Sequence, residues 1–95
     1  PLNPAQRSVV ELGHQVLELG GTAPMAFVAA DEVAVSAFLD GHITVDQIVT
    51  LIKKTMETVG PQAAKRSPLD DLALKSTENG AKLVISGLLE DDFPA

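Results

Sequence analysis

Apolar residues recur at intervals of three and four along this 95-residue chain, which is the spacing of one face of an α-helix. The pattern is clearest between residues 44 and 59, where Thr44 and Gln47 form a capping-box pair ahead of the apolar positions. Gly60-Pro61 follows, a pair that ends helices. The spacing therefore predicts a helix over 44–59 whose apolar positions are Val45, Ile48, Val49, Leu51, Ile52, Met56 and Val59.

A first helix is predicted over 4–19. Asn3 is suited to cap it, and Pro4 is suited to its first turn. Gly20 ends it, because glycine accepts the left-handed backbone of a helix terminus. The apolar stripe of this helix comprises Val9, Val10, Leu12, Val16, Leu17 and Leu19.

A second helix is predicted over 23–40, and its apolar residues cover most of its circumference. Such a helix is usually central and buried. The β-branched Val33 and Val35 leave room for a strand, but the alanine-rich length of the segment favours helix. Gly41 ends the segment.

A fourth helix is predicted over 68–89, opened by Ser67-Pro68 after a polar loop. Its predicted buried face consists of Leu69, Leu72, Ala73, Ser76, Gly80, Leu83, Val84 and Leu88. The acidic segment 90–95 is predicted to fray. The whole pattern indicates an all-α fold, a compact bundle of about four helices in a single domain spanning residues 1–95.

Charge and composition exclude several classes of function. The net charge is −6, which argues against binding to nucleic acid or to an anionic membrane surface. The absence of cysteine excludes disulfides and thiolate zinc sites. Neither a signal peptide nor a membrane-spanning apolar run is visible, and we expect a cytoplasmic location.

Two adjacent carboxylates, Asp31 and Glu32, lie within the apolar second helix and are the strongest candidates for acid–base or metal chemistry. Neighbouring residues of a helix point about 100° apart, however, so the pair is poorly placed to hold one ion. We therefore interpret these carboxylates as structural or solvent-facing.

The remaining polar candidates also lack a recognisable catalytic pattern. His14 and His42 have no ligand or nucleophile partner at motif spacing. The turn at 20–22, Gly-Gly-Thr, could hold a phosphate at the start of a helix, but it lacks the sequence of a P-loop or a dinucleotide fingerprint. The acidic pair 70–71 suits the first turn of a helix, where negative charge is favourable. We predict that the chain contains no catalytic, cofactor-binding or metal-binding residue.

The stretch 20–43 resembles the C-terminal helical domain of 1-deoxy-D-xylulose 5-phosphate reductoisomerase. The shared elements are Gly20-Gly21-Thr22-Ala23-Pro24, Ala29-Ala30, Glu32 and Ala37-Phe38-Leu39. The helix over 44–59 and the segment Leu69-Asp70-Asp71-Leu72-Ala73 are also similar to the family. Val28 and Asp31 stand where the family carries Asn, and His42 stands where its turn carries Arg or Lys. An arginine-rich face of the family's last helix is replaced by Ser76-Thr77-Glu78-Asn79-Gly80.

The resemblance implies a parent enzyme that converts 1-deoxyxylulose 5-phosphate to 2-C-methylerythritol 4-phosphate, a step of the non-mevalonate isoprenoid pathway. That reaction uses NADPH and a divalent cation. In the family, an N-terminal Rossmann domain binds NADPH, and a central domain holds metal and substrate. The motifs of both domains are missing from this chain. The resemblance therefore implies a non-catalytic structural domain that packs against the catalytic domain and supports it.

Two alternatives remain open from the sequence. The apolar circumference of the second helix is also typical of a stand-alone interaction module that self-associates. A small metal-dependent catalyst built from Asp31, Glu32 and a histidine is the third possibility.

Overall fold

A computed structural model describes residues 3–93 of the chain. Within that range the chain forms four α-helices and no strand: α1 (Pro4–Leu19), α2 (Ala23–Leu39), α3 (Val45–Ala63) and α4 (Asp71–Asp92). The predicted all-α bundle is confirmed. Pro1, Leu2, Pro94 and Ala95 lie outside the described residues.

Reciprocal caps hold the first turns of α1 and α3. The Asn3 cap of α1 and the capping box of α3 are as predicted, whereas the return bond from Gln6 goes beyond the prediction. The Asn3 side chain accepts the backbone N–H of Gln6 at 2.7 Å, and the Gln6 side chain accepts the N–H of Asn3 at 3.1 Å. Thr44 and Gln47 repeat this arrangement at α3, at 3.3 and 2.7 Å. Each cap satisfies two N–H groups that have no partner inside the helix.

Both α2 and α3 pack against all three other helices, whereas α1 contacts α2 and α3 but not α4. The side chains that α2 buries completely are small: Ala23, Ala26, Ala30 and Ala34. Small residues allow neighbouring backbones to approach closely. The larger core side chains come mostly from α3 and α4, and the fully buried ones include Leu51, Ile52 and Ile85.

The predicted end of the third helix at residue 59 is wrong, because α3 continues through Gly60 and Pro61 to Ala63. Gly60 is buried, and a Cβ at this position would lie in ordinary contact with Leu19, at 3.6 Å. The carbonyl of Ala63 accepts hydrogen bonds from both the N–H and the hydroxyl of Thr22, at 2.9 and 3.1 Å. The N–H of Arg66 also donates to this carbonyl, at 3.1 Å, so the Thr22 contact joins the additional turn of α3 to the turn before α2.

The predicted start of the fourth helix at residue 68 is also wrong. The helix begins at Asp71 and is capped by Asp70, whose carboxylate accepts the N–H groups of Leu72 and Ala73 at 2.9 and 3.2 Å. Ser67-Pro68 instead lies in the preceding turn region. A capping carboxylate that bonds two helix N–H groups competes successfully with the Ser-Pro signal.

The buried face of α4 differs from the predicted one, of which Leu88 does pack against the core. Its buried residues are Thr77, Ala81 and Ile85, whereas Leu72 and Leu83 are 82% and 75% exposed. Leu69, just before the helix, is 92% exposed. The face that α4 buries packs on α2 and α3, where small side chains allow a close approach.

The expected fraying of residues 90–95 is not observed over residues 90–93. The helix α4 extends to Asp92, whose carboxylate pairs with the Lys54 ammonium at 2.9 Å. Phe93 is partly buried against the core. Its carbonyl lies 2.8 Å from the Nε2 of His42.

None of the helices within residues 3–93 combines the length and hydrophobicity that crossing a bilayer would require.

Candidate functional site

A buried chain of hydrogen bonds joins the turn before α2 to the end of α3 and the middle of α4. The Thr22 hydroxyl donates to the carbonyl of Ala63 at 3.1 Å and lies 2.7 Å from the Thr77 hydroxyl. Because the single hydroxyl proton of Thr22 is directed at a carbonyl, Thr77 is the donor between the two threonines. The Arg66 guanidinium completes the chain by donating to the Thr77 hydroxyl at 3.0 Å.

Every member of this network has a role in packing. Within residues 3–93 no buried side-chain nitrogen or oxygen lacks a hydrogen-bond partner. Thr22 is 1% exposed and Thr77 is 3% exposed. Fully satisfied buried networks of this kind specify one arrangement of the surrounding helices. The network therefore fixes α4 relative to the Gly-Gly-Thr turn.

Gly21 brings this turn into direct contact with the end of α3. Its φ is +57°, and a Cβ built on it would lie 2.5 Å from the carbonyl oxygens of both Ala63 and Ala64. Two requirements therefore select glycine here, the left-handed backbone and the lack of space.

The N–H groups at the start of α2, which a phosphate on the 20–22 turn would use, are already bonded within the chain. The N–H of Thr22 bonds to Ala63, and the N–H of Ala23 bonds to Gly20 at 3.1 Å. Pro24 has no N–H. The turn is a helix end followed by a helix start, and its glycines serve the contact with α3.

Asp31 and Glu32 project into different surroundings. Asp31 lines a groove between α1, α2 and the start of α3, whereas Glu32 points to a different side of α2, into a shallow depression that Lys82 also lines. Burial raises the pKa of Asp31 above its ordinary value of 3.8, and the nearby Glu32 carboxylate raises it further. The two carboxylates do not form a joint site.

The histidines are also kept apart. His42 is bonded to the Phe93 carbonyl beyond the C-terminal end of α2, whereas His14 lines a groove with Pro24 and Phe27 near the N-terminal end of that helix. In the described part of the chain no three His, Asp or Glu side chains are grouped so that they could hold a metal ion. The structure thus does not assemble the metal site that Asp31, Glu32 and a histidine would form.

An exposed apolar surface lies on α1 and α2, and we call it the α1–α2 face. Val10, Leu17 and Val28 on this face are 44%, 66% and 50% exposed. Two adjoining grooves of about 380 Å³ each run along it and share Val9 and Val10. The α1–α2 face consists of Val9, Val10, Gly13, Leu17, Pro24, Phe27, Val28, Asp31 and Val35.

The sequence contained a signal for this face that the helix-by-helix interpretation missed. Val10 and Leu17 repeat at seven residues on α1, and Val28 and Val35 do so on α2. Each pair therefore lies on one side of its helix. The sequence places the first pair in the apolar stripe of its helix and the second in an apolar circumference. Only the tertiary structure shows which of these apolar sides remains uncovered.

The chain matches known proteins over most of its length. The family model described as "DXP reductoisomerase C-terminal domain" matches residues 2–82. The 1-deoxy-D-xylulose 5-phosphate reductoisomerase of Corynebacterium efficiens is 32% identical over 82 residues, which are 86% of this chain and 21% of that enzyme. The corresponding enzyme of Corynebacterium jeikeium is 33% identical over 82 residues, 86% of this chain and 20% of the enzyme.

A shorter stretch is more similar to other relatives. The reductoisomerase of Ruminiclostridium cellulolyticum is 44% identical over 48 residues, which are 50% of this chain and 13% of that enzyme. The chain thus spans between about an eighth and a fifth of the length of these relatives. No solved structure matches the chain.

Proposed function

Because this chain belongs to the family of DXP reductoisomerase C-terminal domains, we propose that it acts as the structural support domain of a 1-deoxy-D-xylulose 5-phosphate reductoisomerase. The parent enzyme would be NADPH- and metal-dependent and would act in non-mevalonate isoprenoid synthesis. This chain would contribute no reacting group. It would act by packing against the catalytic part of the enzyme.

The observation that supports this role most directly is the rigid connection at the start of α2. Within the Gly-Gly-Thr-Ala-Pro motif that the chain shares with the family, Gly21 and Thr22 join the start of α2 to α3 and α4. A motif used in this way specifies the shape of the domain rather than a reaction. A support domain needs such a fixed shape, because the surface that it presents must stay in register with its partner.

The donor groups of this chain do not fit the cofactors of the parent enzyme. NADPH requires a phosphate-binding turn with free N–H groups, but the N–H groups of Thr22 and Ala23 in the glycine turn are bonded within the chain. The carboxylates of Asp31 and Glu32 lie on different sides of α2. We therefore assign the binding of NADPH and of the divalent cation to other parts of the parent enzyme.

A chimeric enzyme tests the proposal. The 82 matched residues of the Corynebacterium efficiens reductoisomerase are replaced by those of this chain, and NADPH oxidation on 1-deoxyxylulose 5-phosphate is measured. We expect activity in the chimera and none in the enzyme from which the same residues are deleted. A folded chimera without activity would contradict the proposed function.

A second candidate function is self-association, favoured by the exposure of Leu72 and Leu83 on α4. Sedimentation velocity of the purified chain tests it, since a dimer that buries these residues would dissociate when both are replaced by Gln. A monomer at all accessible concentrations excludes this function. We also propose a cytoplasmic location, with which a cysteine-free chain is compatible, and cell fractionation tests it.

A further inference from the structure

We propose that the α1–α2 face is the surface on which the remainder of the reductoisomerase docks, and that the docking segment is apolar and places a hydrogen-bond donor against Asp31. This inference rests on the proposed function and adds to it the location and the chemistry of the contact. It concerns a surface of this chain that the packing of the four helices leaves uncovered.

The first support is the continuity of the apolar surface. The two grooves meet at Val9 and Val10, so that apolar contact extends from Val28 on one side to Val35 on the other. A contiguous exposed apolar surface marks an interaction site, whereas single exposed apolar residues do not. Two helices lying side by side also present the type of groove that receives a further apolar segment.

The second support is the position of Asp31 within this surface. Among residues 3–93, Asp31 is the only carboxylate that lines the two grooves, and its neighbours in the first groove include Val9, Val35 and Ile48. Covering the groove with an apolar segment would remove more water from this carboxylate. A partner that supplies a donor, such as an amide or a cationic side chain, avoids leaving a buried acceptor unpaired.

The choice of occupant follows from charge and from length. A second copy would bring two chains of net charge −6 together, with an Asp31 carboxylate on each apolar face, and like-charge repulsion opposes that arrangement. The relatives that this chain matches are about five to eight times as long as the matched segment. Each therefore contains a much larger body against which this domain can pack.

The exposed leucines of α4 make a weaker candidate for the same role. Leu72 and Leu83 protrude from the helix, but neither lines the grooves of the α1–α2 face. Position 83 is for this reason a suitable control. It is apolar, helical and exposed like position 28, but it lies on a different helix.

Photo-crosslinking in the chimeric reductoisomerase tests the docking surface. p-Benzoylphenylalanine is introduced at position 28 in one chimera and at position 83 in another, and the crosslinked peptides are identified by mass spectrometry. We expect position 28 to crosslink to residues outside the transplanted segment, and position 83 to do so much less. Equal crosslinking, crosslinking mainly from position 83, or crosslinking between two copies of the transplanted segment would overturn the proposal.

The outcomes separate this inference from the proposed function. An active chimera that shows no crosslink from position 28 overturns the docking surface but leaves the support role intact. An inactive but folded chimera contradicts the support role itself. If the chimera does not accumulate, the isolated chain carrying the crosslinker at position 28 or 83 is mixed with the relative from which the matched segment is deleted. Crosslinking from position 28 supports the docking surface, and equal crosslinking or crosslinking mainly from position 83 overturns it.

A pair of substitutions at Asp31 tests whether the docking segment donates a hydrogen bond to this side chain. Asp31→Asn keeps an acceptor oxygen, whereas Asp31→Leu removes it. We expect Asp31→Leu, but not Asp31→Asn, to lower the thermal midpoint of the chimera, while the isolated chain is not destabilised by either change. Equal midpoints for the two chimeras would show that no donor is bound at Asp31.

Discussion

The hydroxyl of Thr77 on α4 donates to the hydroxyl of Thr22 ahead of α2 over 2.7 Å, joining two buried residues that are 55 positions apart in the sequence. Because Thr22 also holds the carbonyl at the end of α3, this pair lies where three of the four helices meet. The threonine of the Gly-Gly-Thr motif is thus a connector between helices rather than a helix cap. Its side chain makes no capping bond to α2.

Replacing the connector should destabilise the fold. Thr22→Val removes the acceptor of the Thr77 hydroxyl and one donor to Ala63, so we expect a loss of about 1–3 kcal/mol in the free energy of unfolding. Thr22→Ser, which keeps the hydroxyl, should lose less. Thr58→Val is the matched control, because that exposed hydroxyl bonds only within its own helix, and its effect should stay within about 0.5 kcal/mol. Urea denaturation measures the free energy of unfolding of the three variants.

The coupling between the two threonines can be measured separately. In a double-mutant cycle of Thr22→Val and Thr77→Val, residues in direct contact should show an interaction energy of about 0.5–3 kcal/mol. Additive effects of the two substitutions would contradict the hydrogen bond between them. The same urea denaturation experiment provides the four free energies of unfolding.

Gly21 should be the glycine least tolerant of substitution among those with positive φ. Gly21→Ala places a methyl group against two carbonyl oxygens and also strains the backbone, so we expect a loss of more than about 2 kcal/mol. Gly41→Ala is the control, because φ there is +78° but nothing lies within 4 Å of the added Cβ. Its loss should be about 1 kcal/mol, from backbone strain alone. Equal losses would contradict the close contact with α3.

The alanines of α2 should resist enlargement. Ala30 is 0% exposed at the centre of the bundle, so Ala30→Leu should cost about 1–3 kcal/mol through overpacking. Val35→Leu on the same helix is the control. Because Val35 is 37% exposed, this substitution should change the free energy of unfolding by less than about 0.5 kcal/mol. Thermal unfolding measures the stability of the two variants. Similar stability of both variants would contradict the close packing of Ala30 against the neighbouring helices.

The raised pKa of Asp31 should make the stability of the chain depend on pH. Burial, reinforced by Glu32, makes the folded state bind this proton more tightly than the unfolded state. The stability that the protonated carboxyl contributes is therefore fully present below the unfolded pKa and is lost as the pH rises through the folded pKa.

Comparison with Asp31→Asn isolates this contribution, because the other carboxylates are present in both proteins. We expect the free energy of unfolding of the unmodified chain, minus that of Asp31→Asn, to fall as the pH rises from below 3.8 and then to level off. In a Glu32→Gln background the fall should be smaller. A difference that rises with pH would contradict the direction of the pKa shift. Urea denaturation over a pH series provides the data.

The local signals in the sequence determined the number of helices, the first two helices to within a residue, the Asn3 cap of α1 and the capping box of α3. These features depend on residues within a few positions of one another, such as Asn3 with Gln6 and Thr44 with Gln47. The motif at 20–24 also identified the family. No long-range contact is needed to infer any of these properties.

The tertiary structure decided where α3 ends, which side of α4 is buried and which apolar face stays open. Gly60-Pro61 is locally a stop signal, but Thr22, 41 residues away from Ala63, satisfies a carbonyl of the turn beyond it. Leu72 and Leu83 lie on the predicted face of α4 and are exposed, yet the close approach of α2 and α3 favours Thr77 and Ala81 on the buried side. Periodicity specifies that a helix has an apolar face, but burial requires a neighbour, and the position of that neighbour is a property of the whole fold.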